Sequence, residues 1–435
     1  MKNKKRHIKL MVLALLLSAC SGEDSPQWDS SRQVITIAAD LADAETRAGA
    51  SGCIDYDVFT TEGFGVFAAS DATGFSSDWL SNEHMTYTPA GTEALDPVHL
   101  HPANWSYGPQ KLWPADQSIS FFGYGPYVAA GDAGPGITAV DGTTADDPYV
   151  SYRVATNVSQ AVDLLWGVRG ATGLPWTHAT AATTGGLVTL TFHHAMAAVG
   201  FHAQVMVDQD NNLSNPDDHT TTGLPGSASC KVTLKSITLS ATGGGSFFKS
   251  GNLHLNNATA EGGTAYQPRW LNTSGTLNDF VLSGTALSAT LRDPNPANAA
   301  AVGTFMNNDA VTGINETANT QRVISDNANG KEQCWMFIPK SAQDYCVKVE
   351  YYVTYKTGAD SYQRLDYTGA NAVVLNISDW QLKADTKYYL NLVFGLKTLD
   401  VTLDATDWAG TPVPVTVSIE HGTSAGESLA REIVR

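Results

Sequence analysis

Charge is scarce in this sequence, and long apolar runs are absent after its first twenty residues. Only 16% of the 435 residues are charged, and the 43 acidic residues outnumber the 26 basic ones. A surface with this excess of negative charge repels phosphate backbones, which excludes nucleic acid as a partner. No later stretch reaches 18 consecutive apolar residues, so the sequence predicts no membrane-spanning helix beyond residue 20.

Cysteine is also rare, and its spacing excludes the common zinc motifs. The 5 cysteines contain no C-x-x-C pair, so a structural zinc site is not expected. Beyond Cys20 the chain holds Cys53, Cys230, Cys334 and Cys346. Four cysteines allow three disulfide pairings, which the sequence does not rank. Four buried thiols are the slightly favoured interpretation.

The first twenty residues have the features of a bacterial export signal. Basic residues in the stretch 2–9 precede an apolar run of about ten residues, which is too short to span a bilayer. The run ends in Leu-Ser-Ala-Cys at 17–20, which matches the lipobox whose cysteine is acylated and becomes the new N-terminus. We therefore predict a lipoprotein signal peptide at 1–20 with the lipid on Cys20. The acidic stretch 21–25 resembles the export tag of surface lipoproteins.

The dominant hydrophobic period is two, which is typical of β-strands. Tyr345, Val347, Val349 and Tyr351 share one face of a predicted long strand. Two further runs, 388–396 and 399–405, predict a hairpin. Strands recur between clusters of glycine, proline and asparagine, without the helical segments that parallel sheets require. The predicted fold class is all-β.

Two local features refine this prediction. The apolar phase slips between Leu234 and Ile237, which predicts a β-bulge at Lys235 and Ser236. A polar stretch at 208–229 separates two strand-rich halves, which predicts β domains at 48–224 and 225–435.

No catalytic constellation is evident. A G-x-S-x-G pattern at 422–426 is followed by a tail without Asp or His, so a hydrolase triad cannot be completed after it. His194 shares a face with Val188, Leu190 and Phe192, which predicts a hydrogen-bonded core histidine. We therefore expect a protein that is not an enzyme and needs no cofactor.

Two candidate metal sites are incomplete. Residues Asp208, Asp210 and Asn212 alternate as in a calcium loop, but the expected glycine and the closing glutamate are missing. His99 and His101 lack a third ligand for zinc. No metal is predicted.

Several segments, in chain order, resemble the fimbrillin family of bacterial lipoprotein-precursor fimbrial subunits. They are 17–20, 34–39, 46–48, 64–67, 105–107, 112–114, 121–126, 163–166, 191–201, 336–339, 387–390 and 407–408. The resemblance implies two transthyretin-like β-sandwich domains in tandem. It also implies cell-surface export through the lipid on Cys20, with the outer membrane as first partner.

The resemblance further implies maturation and assembly by strand donation. An arginine-specific protease would cut between Arg47 and Ala48, removing 21–47 as a propeptide that includes the strand at 34–39. A strand from a neighbouring subunit would fill the groove. The candidate donor strand presents Val413, Val415, Val417 and Ile419 on one face, although Pro412 and Pro414 lack the N–H groups that a central strand needs. The same segment is equally well interpreted as an edge strand of its own domain.

Two functions follow from these expectations. The first is a structural or tip subunit of a surface fimbrium with a role in adhesion, whose partners are other fimbrial subunits. The second is a lipoprotein that stays anchored on Cys20, as an anchor subunit or an adhesin for a host protein or glycan. The sequence does not distinguish stalk, tip and anchor roles.

Overall fold

The structure is a computed structural model. It describes the following residues: 33–42, 53–70, 79–89, 104–129, 131, 134–143, 147–205, 230–257, 266–283, 306–307, 322–323, 334–358, 361–394, 399–408, 412–415 and 417–421.

The first half of the chain contributes eleven described strands and two short helices. In chain order they are β1 (Thr36–Leu41), α1 (Tyr56–Glu62), β2 (Phe64–Ser70), β3 (Leu80–Tyr87), β4 (Trp105–Ser106), β5 (Ile119–Gly125), β6 (Gly136–Asp141), β7 (Tyr149–Arg153), β8 (Leu165–Val168), β9 (Trp176–Ala179), α2 (Ala181–Thr184), β10 (Leu187–His194) and β11 (Ala197–Val205).

The described strands of the second half follow in the same numbering. They are β12 (Cys230–Ala241), β13 (Phe247–His254), β14 (Arg269–Leu277), β15 (Asp279–Ser283), β16 (Met306–Asn307), β17 (Arg322–Val323), β18 (Trp335–Phe337), β19 (Lys340–Gly358), β20 (Ser361–Tyr367), β21 (Val373–Leu382), β22 (Thr386–Phe394), β23 (Leu399–Asp407) and β24 (Ser418–His421). Short 3-10 turns lie at Val158–Gln160 and Gly369–Asn371.

The first sheet is built only from strands of the first half. Its order is β1-β10-β8-β5-β2-β3-β4, with β9 also paired to β5. One face carries an apolar cluster in which the rings of Phe59 and Phe64 lie 5.0 and 4.9 Å from that of Phe192. Alternate residues of β10 supply this face, because successive side chains of a strand point to opposite sides. The N-terminal strand β1 forms one edge of the sheet.

The other face of the first sheet packs into a second core. Phe67, Tyr124 and Trp166 belong to an apolar cluster that also contains Val150 of β7 and Leu253 of β13. Strands β14, β13, β7 and β6 form a four-stranded sheet in that order.

The remaining strands form two sheets that pack face to face. One has the order β17-β11-β22-β23 with β18 on β11, and the other has the order β15-β12-β19-β21-β24 with β16 and β20 attached. Aromatic contacts join them: Tyr351 to Phe394 at 4.9 Å and Trp380 to Tyr388 at 5.4 Å between ring centroids. Edge-to-face aromatic pairs of this kind stabilise a sandwich beyond the area that they bury.

Strand pairing connects segments on either side of the stretch 208–229. Val150 of β7 lies opposite Leu253 of β13, and Val199 of β11 lies opposite Tyr388 of β22. Among the described residues, backbone ladders thus cross the predicted boundary four times, since β11 also pairs with β17 and β18. The division into tandem domains at 48–224 and 225–435 stays a prediction.

The all-β fold class is confirmed, as are its most periodic elements. β19 contains the predicted long strand, and Tyr345, Val347, Val349 and Tyr351 are all buried. β22 and β23 form the predicted antiparallel hairpin. The register of β12 against β19 shifts between Leu234 and Ser236, which is the predicted bulge.

Two features were not expected from the sequence. β1 pairs with β10 in parallel, and β11 pairs in parallel with β22, although the strands of each pair lie far apart in the chain. Helix α1 begins after Asp55, whose side chain accepts a hydrogen bond from the Val58 N–H at 2.9 Å. A helix of 7 residues is too short to produce a recognisable helical period.

The core beneath β1 and β10 gives a direct stability prediction. Phe192→Ala removes a fully buried ring between Phe59 and Phe64, and we expect a loss of about 3–5 kcal/mol in the free energy of unfolding measured with urea. Thr189→Ala, at an exposed position of the same strand, is the matched control. A loss below about 1 kcal/mol for Phe192→Ala would contradict this packing.

Candidate functional site

The strand β1 completes the edge of the first sheet by parallel pairing with β10. Thr36 N–H donates to the carbonyl of Gly186 at 3.2 Å, and Ala42 N–H donates to the carbonyl of Phe192 at 2.9 Å. Between these ends the register runs from Thr36 opposite Leu187 to Leu41 opposite Phe192. The backbone of β1 therefore pairs with the N–H and carbonyl groups at this edge of β10 over the whole length of β1.

The side chains of β1 fill the core on one face of the sheet. Ile35, Ile37, Ala39 and Leu41 are at most 4% exposed and belong to the same apolar cluster as Phe192. The alternate residue Thr36 is exposed. We call the strip of β10 and core that these four side chains cover the β1 groove. Burying each of the large aliphatic side chains contributes about 1.5–3 kcal/mol.

The beginning of β1 is held from both sides. On the side opposite β10, Ile35 N–H donates to the Lys111 carbonyl and Trp113 N–H to the Gln33 carbonyl, both at 2.8 Å. The Tyr107 hydroxyl donates to the Ile35 carbonyl at 2.8 Å. Toward β10, the Gln33 side-chain amide donates to the Gly185 carbonyl at 3.0 Å.

A glycine is required next to the hydrogen bonds that hold the start of β1. Gly186 has φ +90, and a Cβ there would lie 1.9 Å from the Gln33 side-chain nitrogen. The absence of a side chain at Gly186 lets Gln33 lie against the start of β10. This close approach fixes where β1 begins on the sheet.

The residues predicted for lipidation and cleavage fall outside the described part of the chain. Cys20 precedes Gln33, the first described residue, whereas Arg47 and Ala48 lie between Ala42 and Cys53. Their assignment stays a prediction. The structure nevertheless places a complete strand, β1, between the two predicted modification points.

The candidate donor strand lies in the C-terminal sandwich of its own chain. Val413 N–H donates to the Ala405 carbonyl of β23 at 2.8 Å, and Ile419 of β24 lies opposite Ile377 of β21. Val413, Val415, Val417 and Ile419 are half-buried and pack against the larger core cluster. The segment thus runs from the edge strand of one sheet to the edge strand of the facing sheet. Its donation to another subunit stays a prediction.

The histidine predicted for the core lies where expected. His194 is 1% exposed, and its Nδ1 lies 2.6 Å from Oδ2 of the buried Asp163. Its ring stacks on that of Trp408 at 3.9 Å between centroids. Asp163 also accepts the backbone N–H groups of Ile54 and Leu164. The polar pair joins β10 to the segment before β8, and the ring stack joins it to Trp408, just after β23. No sequence pattern pointed to Asp163 as the partner of His194.

The adjacent histidine forms a second contact at the same end of β10. His193 Nδ1 lies 3.3 Å from Oδ2 of Asp385, in the turn before β22. Burial alone would raise the pKa of Asp385, but its hydrogen bond with His193 and the charges of both histidines hold that pKa below its ordinary value. Asp385 N–H donates to the Met196 carbonyl at 3.0 Å, so this turn is also fixed through its backbone.

Two of the described cysteines, Cys53 and Cys334, and the tryptophans Trp105 and Trp113 belong to the core. Cys53 is a buried thiol and Cys346 a half-buried one, and Cys334 is buried as well. The side chain of Cys230 lies outside the described set. Trp105 and Trp113, which could have formed a sugar-binding platform, are 5% and 3% exposed, so their rings serve packing.

The incomplete metal motifs and the G-x-S-x-G pattern lie outside the described residues. Within the described ranges, no group of three or more His, Cys, Asp or Glu side chains could hold a metal ion. No helix in those ranges is long and apolar enough to cross a bilayer.

Family comparison identifies this fold. The sequence profile of the fimbrillin-like family matches residues 46–408. The chain belongs to the fimbrillin-like family. Strand β1 lies before the matched region, and the candidate donor strand lies after it.

A solved structure with a TM-score above 0.5 agrees with this membership at the level of the fold. A fimbrial protein from Bacteroides vulgatus ATCC 8482 is 16% identical, with a TM-score of 0.55, covering 86% of this chain and 99% of its own. A candidate cell adhesion protein from Bacteroides uniformis ATCC 8492 is 13% identical, with a TM-score of 0.37, covering 88% of this chain and 100% of its own. No curated protein matches the chain significantly.

The Asp385 contact predicts a pH-dependent stability. Because the pKa of Asp385 is lowered in the folded state, its contribution is present at neutral pH and is lost as the pH falls from about 4 through the folded pKa. Asp385→Asn keeps the positive φ of 58 that asparagine tolerates. We expect the urea midpoint of the variant to fall less steeply below about pH 4.5 than that of the wild type.

Asp116→Asn, at an exposed position, is the control and should retain the slope of the wild type. Equal slopes for wild type and Asp385→Asn would contradict the stabilising role of the His193 contact.

Proposed function

We propose that this fimbrillin-like protein is a structural or tip subunit of a surface fimbrium. In this proposal it is exported as a lipoprotein on Cys20, cut after Arg47, and assembled by strand donation. The observation that carries the proposal is β1, which is a complete edge strand with a buried apolar face. Because β1 ends at Leu41 and precedes Arg47, a cut there separates the whole strand from the body.

Loss of β1 would leave a groove with a defined chemistry. The carbonyls of Gly186 and Phe192 would lose the N–H groups that they now accept. Three large aliphatic side chains, Ile35, Ile37 and Leu41, would leave the core, a loss of roughly 5–9 kcal/mol of hydrophobic burial. An unpaired sheet edge beside empty apolar pockets favours the addition of another strand.

The C-terminal segment has the pattern that this groove requires. The groove takes four alternate side chains from β1, and the segment presents the four alternate side chains Val413, Val415, Val417 and Ile419. Its half-burial in its own sandwich is consistent with a segment that can be released. The proposed partners are other fimbrial subunits, with the outer membrane holding the lipid on Cys20 before maturation.

A second candidate function is a lipoprotein that remains anchored and does not polymerise. The pairing of β24 with β21 in its own chain favours this alternative, because the candidate donor is already engaged. Such a protein would act as an anchor subunit or as an adhesin for a host protein or glycan. A glycan-dependent rise in thermal midpoint would support that role, since ligands that bind the native state stabilise it.

The mass and N-terminal sequence of the protein from its own cell surface separate the two functions. Under the fimbrial proposal we expect a chain that begins at Ala48, because the cut opens the β1 groove. A chain that begins at an acylated Cys20 would contradict that proposal for this subunit and support the anchored alternative.

A matched pair of arginine variants tests whether cleavage controls assembly. Arg47→Ala should retain β1 and stay monomeric on size-exclusion chromatography after treatment with an arginine-specific protease. Arg32→Ala is the control, because Arg32 precedes β1 and a cut there leaves the strand in place. Polymers formed by Arg47→Ala to the wild-type extent would contradict the proposed maturation.

A further inference from the structure

We propose that the two prolines of the C-terminal segment set the direction in which it enters the β1 groove of a second copy. The incoming strand runs antiparallel to β10, opposite to the direction of β1. This inference rests on the proposed strand donation and specifies its geometry.

Only alternate N–H groups of the N-terminal segment face β10. Thr36, whose side chain is exposed, donates its N–H to the carbonyl of Gly186, the residue just before β10. Ile35, whose side chain is in the core, donates in the other direction, to Lys111. For a strand that runs like β1, the residues that bond to β10 are therefore those whose side chains point away from the core.

Prolines and valines alternate at the start of the C-terminal segment, so they lie on opposite faces of it. In this structure Pro412 and Pro414 are exposed, whereas Val413 and Val415 are half-buried and contact apolar residues. The valines therefore form the core-facing set, and the prolines belong to the outward-facing set. Neither proline has an N–H to donate.

If the donor strand ran in the same direction as β1, its prolines would be on the side that faces β10. With Val413, Val415, Val417 and Ile419 in the core positions, Pro414 would face β10 and leave one of its carbonyls without a donor. A proline that faces a neighbouring strand disrupts the ladder, and prolines in sheets are confined to the free side of edge strands.

Reversing the strand removes this conflict. A half-turn about the normal of the sheet keeps the same side chains in the core but exchanges the two sides to which the N–H groups point. The four core-facing residues then donate to β10, and the prolines face away from it. Gly186 and Phe192 already direct their carbonyls to this side, and core-facing residues of two antiparallel strands lie directly opposite one another.

Side-chain size indicates the register. The core-facing residues of β10 along the groove are Val188, Leu190 and Phe192, and Gly186, just before β10, directs its carbonyl to the same edge. Pairing all four with the four donor residues in the antiparallel sense places Val413 beside Phe192 and Ile419 beside Gly186. The bulky end of the donor then lies next to the residue without a side chain, where Gln33 packs before cleavage. In this register Ser418 lies opposite Leu187.

Disulfide trapping between two variants tests the direction. The donor carries Ser418→Cys or Glu420→Cys, and the acceptor carries Leu187→Cys, Thr189→Cys or Thr191→Cys. Mixed precursors are treated with limiting arginine-specific protease, and linked dimers are measured on non-reducing gels. Opposed outward-facing residues of antiparallel strands lie about 4.5 Å apart between Cα atoms, within disulfide range.

We expect Ser418→Cys to link to Leu187→Cys at least about tenfold more than to Thr191→Cys, the factor given by the loss of one or two hydrogen bonds. Ser418→Cys has a preferred partner in β10. Glu420→Cys should not link preferentially to any residue of β10 that follows this partner in the chain.

Other outcomes distinguish the direction and register of the donor strand from strand donation itself. Entry in the direction of β1 would place Ser418 at the position of Asp40, opposite Thr191. A preferred link of Ser418→Cys to Thr191→Cys would therefore overturn the antiparallel direction while retaining strand donation. A shift of Ser418→Cys to Thr189→Cys, with Glu420→Cys on Leu187→Cys, keeps the direction and overturns the register. No link from either donor would contradict donation itself. Undigested precursors, in which β1 occupies the groove, and mixtures with a single engineered cysteine are the controls.

Discussion

The fold of the first sheet depends on the pairing of one short strand with β10. β1 contributes a row of backbone hydrogen bonds and four buried side chains to an edge where β10 would otherwise have no neighbour in the described structure. Sheet edges with apolar side chains are unstable in water unless they are paired. β10 is therefore completed by whichever strand occupies this position, and its own sequence does not require that strand to come from the same chain.

The same constraint explains the two ends of the molecule. The N-terminal strand is fastened by Gln33 and Tyr107 near its beginning, whereas Ala42, just past its end, is followed closely by the predicted cut. At the other terminus, the segment from Val413 to Ile419 joins the edges of two sheets through few backbone contacts. In the proposed assembly, the first of these termini is removed as a unit and the other leaves its own sandwich. The histidine pairs at the end of β10 hold the remaining body together.

The sequence predicted what local periodicity encodes. The hairpin of β22 and β23, the long strand β19 and the bulge at Leu234 all follow from side chains a few positions apart. The partner of β1 was not predictable in this way, because β10 lies about 150 residues away and parallel strands share no turn that fixes their pairing. Asp163 escaped notice for a related reason, since nothing in its neighbourhood indicates that it meets His194.

Amide hydrogen exchange of β10 tests the central claim most directly. We infer that the N–H groups of Val188 and Leu190 are protected by whichever strand occupies the β1 groove. They should exchange slowly in the precursor, rapidly in the cleaved chain before assembly, and slowly again in the polymer. Protection that stays unchanged through all three states would show that β10 does not depend on β1, and would contradict the account.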